Sequence, residues 1–236
     1  MDKTRLFELY FKVFSLRIMR NYHYLIEVFI KKISERYDKE GKKILDIGAE
    51  RCPFKHYFQK MSYFSLDIKQ NKDKTIDFIG DLNQGLPEIK DKSFDYILCT
   101  QVLEHIRRPE KAFQEFSRIL KKGGRLFLTT HMCYDEHMVP NDYFRFTRYG
   151  LKYLGESNGF FLEHIKAQGG IFQVIARIVN TLPIKLFFKR DTWMYYLYII
   201  VFTIPIFVFN TLCYLLDFLD REKTLTLNYE CIFRKI

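Results

Sequence analysis

The amino-acid sequence predicts an α/β protein built on a doubly wound, mostly parallel sheet, on three observations. The run Ile44-Leu45-Asp46-Ile47-Gly48-Ala49-Glu50 carries an apolar stretch into a glycine turn, as a buried parallel strand does at its first crossover. A second strand, Tyr63-Phe64-Ser65-Leu66-Asp67-Ile68, ends in an acid, and a third, Asp77-Phe78-Ile79-Gly80-Asp81-Leu82, ends in another. A fourth, Phe94 to Thr100, runs into Gln101-Val102-Leu103-Glu104-His105-Ile106.

The remaining elements follow in order. Residues 3–37 read as one or two helices rich in aromatic, aliphatic and basic residues. Pro53 opens a helix through Tyr57-Phe58, and Gly85-Leu86-Pro87 with Asp91-Lys92-Ser93 marks the loop before the fourth strand. Pro109 starts an amphipathic helix with Phe113, Phe116 and Leu120 at helical spacing. Gly123-Gly124 is expected to end that helix and launch a fifth strand, Arg125 to Thr130. Thr147 caps a helix at about 148–157, closed by Asn158-Gly159, and a sixth strand follows at about 160–167. The alternation breaks at 168–223 and resumes with a last strand, Leu225 to Phe233. The expected organisation is an N-terminal helical arm (1–42), a sheet domain (43–167 with 224–236) and an apolar helical insertion before the last strand (168–223).

A chain of 236 residues holds one α/β domain plus an extra element. The net charge of +10 is unevenly placed. Residues 1–43 carry 11 Lys/Arg against 6 Asp/Glu, residues 44–164 carry 18 against 17, and residues 165–191 carry 5 against 1. A nucleic-acid enzyme would concentrate basic charge around its active face, so no nucleic-acid partner is expected. Anionic lipid accounts for this placement better. The five cysteines are scattered, and no pair has metal-ligand spacing. They read as reduced thiols of a cytoplasmic protein, and no metal site is expected. The N-terminus is charged and lacks the apolar core of a signal peptide.

The ordered strands resemble the class I methyltransferases that use S-adenosylmethionine (SAM), across roughly residues 40–165 and the last strand. The most specific stretches are Asp95-Tyr96-Ile97-Leu98 through Leu103-Glu104-His105-Ile106, and Ala112 through Gly123-Gly124. The sequence looks like the glycan- and lipid-associated subgroup, similar to the type 11 methyltransferases. The resemblance implies a seven-stranded, Rossmann-like sheet in which the last strand pairs with the sixth. It also implies a cofactor site of Asp46, Gly48, Ala49, Glu50, Asp67, Ile68, Asp81, Leu82 and Gln101. In that site Asp67 accepts hydrogen bonds from the ribose hydroxyls, which suits a carboxylate with two oxygens. Asp81 and Leu82 meet the adenine, and Gln101 lies near the methionine end. Asp46 orients the glycine turn. A dinucleotide fingerprint wants two more glycines after Gly48, where Glu50 and Cys52 stand. SAM carries no phosphate, so an anion-cradling loop is not required. Glu50 faces either the ligand's ammonium or solvent. Asp67 and Asp81 have plain alternatives as a turn aspartate and a helix cap.

The segment His131 to Thr147 resembles the His…Pro-x-Asp-Tyr-x-Arg-x-Thr pattern of glycan-associated relatives. Long polar loops at the carboxyl end of a sheet are where chemistry sits. His137 is the expected general base, Asp142 orients it or the acceptor, and Arg145 holds an acidic sugar or a phosphate. His131 is the other candidate base. The structural alternative is an Asp142–Arg145 pair with Thr147 capping the next helix. Glu104-His105 reads as a structural or gating element rather than a catalytic pair.

Thr192 to Leu216 contains no charged residue and is long enough for a membrane span. A single span conflicts with the return of the last strand to the sheet. Pro205 divides the run into halves of about 13 residues, each roughly 20 Å as helix and too short for a core of about 30 Å. A re-entrant hairpin or in-plane pair satisfies both constraints, with Lys185, Lys189, Arg190, Arg221 and Lys223 at headgroups. Trp193, Tyr195, Tyr196 and Tyr198 suit an interface belt. A helical lid or a dimer contact is the alternative.

Together these features predict a SAM-dependent methyltransferase, peripheral or monotopic on the inner face of the cell membrane. Its acceptor is expected to be lipid-linked or membrane-delivered, with a glycan hydroxyl foremost. A quinone or phospholipid methyltransferase and a catalytically silent SAM-binding scaffold are the rival readings.

Overall fold

The structure, a computed structural model, describes residues 21–187 and 192–236. Residues 1–20 of the expected N-terminal arm, together with Lys189, Arg190 and the side chains of Tyr195 and Tyr196, lie outside the described residues. The chain divides into two compact units, one of Ile26–Lys166 with Asn228–Ile236 and one that includes Ala167–Leu227.

The first unit carries the sheet. Helix α1 (Asn21–Tyr37) leads into β1 (Lys43–Ile47), and β2 (Ser62–Asp67), β3 (Phe78–Ile79) and β4 (Phe94–Thr100) follow. Then come α2 (Pro109–Ile119), β5 (Leu120–His131), α3 (Arg148–Glu156), β6 (Phe160–Gln168) and, last in the chain, β7 (Asn228–Lys235). The seven strands are ordered β3-β2-β1-β4-β5-β7-β6. The β1–β2, β1–β4, β2–β3 and β4–β5 pairs are parallel, and β7 is antiparallel to β5. The last strand does neighbour β6, as expected, but it is wedged between β6 and β5.

Strands β1 and β4 are buried on both faces, which explains their unbroken apolar runs. Phe113 of α2 meets Phe116, Phe160 and Phe233 edge to face, with ring centroids 5.5–5.9 Å apart. The Tyr37 ring at the end of α1 packs on Tyr96 and Phe127. Asp95 draws Lys42 and Lys121 to 2.9 Å each, pinning the entries of β1 and β5 to β4.

Two elements differ from expectation. The helix expected from Pro53 is a single 3₁₀ turn, Lys55–Tyr57. The turn stops at Phe58, whose φ of −112° and ψ of 87° leave the helical region, while Glu50 and Cys52 ahead of Pro53 adopt left-handed φ values of 46° and 54°. Helix α2 ends at Ile119, ahead of Gly123-Gly124, and β5 starts at Leu120 with a register irregularity against β4. The glycines serve this irregularity. A Cβ on Gly124 would lie 2.8 Å from the Asp95 carbonyl oxygen.

The second unit is helical. Helix α4 (Ile171–Phe187) is followed by α5 (Trp193–Leu216) and a 3₁₀ turn at Asp217–Leu219. Pro205 does not divide the apolar run: α5 passes through it as one 24-residue helix, about 36 Å long. The hairpin is formed by α4 with α5. Asn180 donates to Asn210 across it at 2.8 Å, and the start of α4 meets the end of α5. There the Gly170 and Ile171 N–H groups donate to Asp217 and Asp220, satisfying orphan donors of the helix. Apolar side chains along both helices are exposed, among them Ile178, Leu182, Leu186, Phe202, Ile204, Val208 and Leu215. Trp193 is exposed, whereas Tyr198 stacks on Phe202 and is buried. Residues Val201–Leu219 are long and apolar enough to cross a membrane by length and composition.

A Cβ on Gly155 of α3 would lie 2.3 Å from Cε1 of the fully buried Phe233. Gly155→Ala gains about 1 kcal/mol of helix propensity but overpacks the core by about 1–3 kcal/mol. The clash wins, because Phe233 is hemmed by Phe113 and Phe160. A melting temperature several degrees below wild type is expected in a thermal scan, and an unchanged or higher one would refute this packing.

Candidate active site

Parallel strands deliver their carboxyl ends to one edge, where ligands of such sheets bind. Gly48 follows β1 with φ +72°, and a Cβ there would lie 2.3 Å from Val102 Cγ2. Only glycine fits this turn. The Gly48 and Ala49 N–H groups both donate to the Leu66 carbonyl, tying the turn to β2. Ala49 points into a small buried cluster with Cys52 and Ile76, so its backbone alone can face a ligand.

Asp67 accepts from the Glu50 N–H at 2.9 Å and the Ile68 N–H at 2.7 Å. It thus shapes the turn, and a carboxylate engaged twice retains lone pairs for a diol. Ile68 beside it is exposed, and Glu50 is exposed. Asp81 holds a tight turn, with Oδ1 accepting from the Asn83 backbone and side chain and Oδ2 from Gln84. Leu82 is buried. Both Asp81 oxygens thus serve the turn, and Oδ2, with one bond of 3.3 Å, retains acceptor capacity.

Gln101, just after β4, has φ 55°. Its amide donates to Thr129 Oγ1 at 3.0 Å, while its buried Oε1 has no hydrogen-bond partner. Backbone strain and an orphaned acceptor at this edge mark a functional position. A buried acceptor suits a ligand's ammonium group, an open carboxylate suits a ribose diol, and the glycine turn admits close approach. The residues present therefore fit SAM.

Asp46 lies beneath this surface, 1% exposed, accepting a short hydrogen bond from the Tyr63 hydroxyl. Burial pushes its carboxyl up to about 7, helped by the nearby Asp67 charge and opposed by the Tyr63 bond.

The loop from His131 to Thr147 is firmly held. Asp142 takes two hydrogen bonds from Arg145, each 2.7 Å, and one from the His137 N–H at 2.9 Å. The Arg145 guanidinium holds the Asp142 carboxyl well below the usual carboxylate range. Arg145 also donates to the carbonyls of Tyr134, Asp135 and Phe144. Thr147 caps α3 by accepting from the Gly150 N–H. Arg145 thus has its donors committed within the loop, the geometry of a structural pair rather than of an anion clamp. His137 Nδ1 lies 3.3 Å from Asp142 Oδ2 and 3.2 Å from the Asp135 carbonyl.

Beside His137 stand residues with smaller parts in the sequence reading. His131 ends β5, its ring 5.1 Å from that of His137 and stacked on Tyr134. Glu104 has no exposed surface, and burial raises its pKa. Its Oε2 accepts from Thr130, and its backbone carbonyl accepts from Tyr143 and Phe144. Glu104, 27 residues before His131 in the chain, is grouped in space with His131 and His137.

The fold and this edge define a class I SAM-dependent methyltransferase domain. A family described as the methyltransferase domain matches residues 18–168, and the chain belongs to it. SAM is its cofactor. Among curated proteins, a thiol S-methyltransferase of Rattus norvegicus is 38% identical over 55 residues, covering 23% of this chain and 22% of that protein. A ubiquinone biosynthesis O-methyltransferase of Coxiella burnetii is 26% identical over 126 residues, covering 48% of this chain and 53% of the other. The chain thus spans from about a fifth to about half of these relatives' lengths. A SAM-dependent methyltransferase of Archaeoglobus fulgidus shares the fold with a TM-score of 0.54 at 18% identity, covering 99% of this chain and 100% of that one. A 1,6-didemethyltoxoflavin-N1-methyltransferase of Burkholderia thailandensis, solved with bound S-adenosylhomocysteine, gives 0.56 at 12% identity, covering 89% and 78%.

The raised Asp46 pKa has a consequence for stability. Between about pH 4 and 7 the folded state holds a proton that the unfolded state has lost, so this group's contribution falls as pH rises through that window. The rise from 3.8 to about 7 corresponds to about 4 kcal/mol at most. Asp46→Asn keeps an acceptor for Tyr63 but cannot ionise. Its melting temperature relative to wild type should climb from pH 4 to pH 7 and then level. A constant difference would refute the buried-proton assignment.

Proposed function

We propose that this chain transfers a methyl group from SAM to a hydroxyl of a lipid-linked or membrane-delivered acceptor, foremost a glycan, at the inner membrane face. The observation that carries this reading is the loop geometry: a His137 oriented by Asp142, beside the end of β5, at the cofactor edge. Asp67, Ile68, Glu50, Gln101 and the Gly48 turn would hold the cofactor, with Asp46 and Ala49 supporting it from below. Asp81 and Leu82 would line the adenine end.

Bound there, SAM supplies a methyl group already attached to a good leaving group. The protein's share is alignment and, for a hydroxyl, proton removal. With Nδ1 directed at Asp142 and the Asp135 carbonyl, His137 presents Nε2 to take the acceptor's proton. Asp142, held ionised by Arg145, steadies the resulting imidazolium. Arg145 acts as a positioning residue. A quinone-precursor hydroxyl is the second reading, favoured by the Coxiella relative.

The acceptor test is transfer of labelled methyl from SAM into a total lipid and glycolipid extract, with identification of the labelled species. Label in a lipid-phase product is expected, and His137→Ala should lower turnover about a hundredfold, the scale of a lost general base. SAM binding without any transfer would favour the silent-scaffold reading. Turnover within a few-fold of wild type in a folded His137→Ala would remove the base assignment.

The apolar surface of α4 and α5 supports membrane contact. A hairpin enters and leaves from the same side, which lets β7 rejoin the sheet. Because Gly170 and Ile171 already touch Asp217 and Asp220, residues 171–219 can be replaced by a short Gly/Ser linker. The shortened protein should leave the membrane fraction and keep SAM affinity. Its activity on a membrane acceptor should fall far more than that affinity. Retention in the membrane fraction would refute the hairpin as the anchor.

A further inference from the structure

We propose that Glu104, His131 and His137 bind one divalent transition-metal ion of the zinc class. The inference rests on the reading of His137 as the residue that activates the acceptor, and deepens it. In the loaded protein His137 acts through the ion instead of taking the proton itself.

The geometry begins with His131. Its Nδ1 lies 2.6 Å from Asn228 Oδ1, and in the tautomer with the proton on Nδ1 that N–H donates there and Nε2 is the ligand atom. That Nε2 is 3.5 Å from Glu104 Oε1. Glu104 is wholly buried, Oε2 is satisfied by Thr130, and Oε1 has no hydrogen-bond partner. A cation between Glu104 Oε1 and His131 Nε2 would supply the positive partner that the buried carboxylate oxygen calls for. A shared proton would draw the atoms to about 2.7–3.2 Å. Two ligands at about 2.1 Å from a tetrahedral ion stand about 3.4 Å apart, close to the observed separation.

His137 completes the set. Ligand atoms of Glu104, His131 and His137 all lie within 4.8 Å of one another. The Nδ1 of His137 is oriented by the Asp135 carbonyl and the Asp142 carboxylate, leaving Nε2 for the ion. A ligating histidine characteristically has its other nitrogen held in this way, and here His131 is held by Asn228 and His137 by Asp142. The neighbouring group of His105, His137 and Asp142 suits an ion less well. Its Asp142 is committed to Arg145, and its His105 Nδ1 contacts the Asn141 carbonyl at 2.6 Å. Two imidazoles and one carboxylate select a zinc-class ion over magnesium or calcium, which favour all-oxygen sites. Three protein ligands leave one position open, as in catalytic rather than structural sites. An oxygen or sulfur donor of the acceptor would fill it.

The test is zinc titration of the full-length protein, stripped with a chelator, against a chromophoric competitor in the absence of SAM. About one ion per chain is expected, and cobalt in its place should show the visible absorption of a four-coordinate site. Glu104→Gln and His137→Ala should each weaken zinc binding at least about tenfold. His164→Gln, which alters a histidine paired with Glu230 elsewhere on the sheet, should leave it unchanged. Glu104 is buried and its variant is at risk of misfolding, so the partly exposed His137 carries the decision. Zinc should raise the melting temperature of wild type and not of His137→Ala. Failure to bind zinc stoichiometrically, or equal affinity in His137→Ala, would overturn the site. Intact zinc uptake without methyl transfer would leave the site standing and overturn the proposed function instead.

Discussion

The end of β4, the end of β5 and the loop after it are organised around one buried carboxyl group. Glu104 sits in the 3₁₀ turn after β4, its side chain bonded to Thr130 of β5, and its carbonyl receives the Tyr143 and Phe144 N–H groups of the acceptor loop. Three segments far apart in sequence thus meet on one residue with no exposed surface. Burying a carboxyl is costly unless its oxygens are satisfied, and Oε1 is not. Burial raises the Glu104 pKa, and His131 Nε2 stands 3.5 Å from Oε1. The position of the loop and of His137 follows from where Glu104 stands.

Around this point, functions are divided by physical character. The sheet edge offers acceptors: Asp67 with lone pairs to spare, the orphaned Gln101 Oε1, and a glycine turn that admits close approach. The acceptor loop offers oriented imidazoles, stiffened by the bidentate Arg145–Asp142 pair. The α4–α5 unit offers apolar surface. The near-neutral charge of residues 44–164 contrasts with the basic flanks of the sequence.

Much of the fold was legible because its signals are local. An apolar run with a terminal acid marks β1 and β2, Thr147 and Asn158-Gly159 bracket α3, and the apolar segment from Thr192 is visible by composition. Errors arose where nonlocal packing overrode a local cue. Gly123-Gly124 looks like a helix stop, yet it serves the close approach of β5 to Asp95. Pro205 looks like a helix breaker, yet α5 runs through it. Pro53 looks like a helix start, yet the chain leaves the helical region at Phe58 after a single turn. Arg145 looks like an anion clamp, whereas its donors are taken by carbonyls that only the folded loop brings together.

The sequence by itself determined the class of protein, the strand succession, the glycine turn and the apolar insertion, since each is written within a few neighbouring residues. Only the tertiary structure decided that β7 enters between β5 and β6, that Asp81 spends its oxygens on its own turn, and that Glu104, His131 and His137 converge. Separation along the chain is the physical reason. A hydrogen bond or ligand contact depends on distances of a few ångströms, and between residues on different strands and loops the closing of the sheet alone sets those distances.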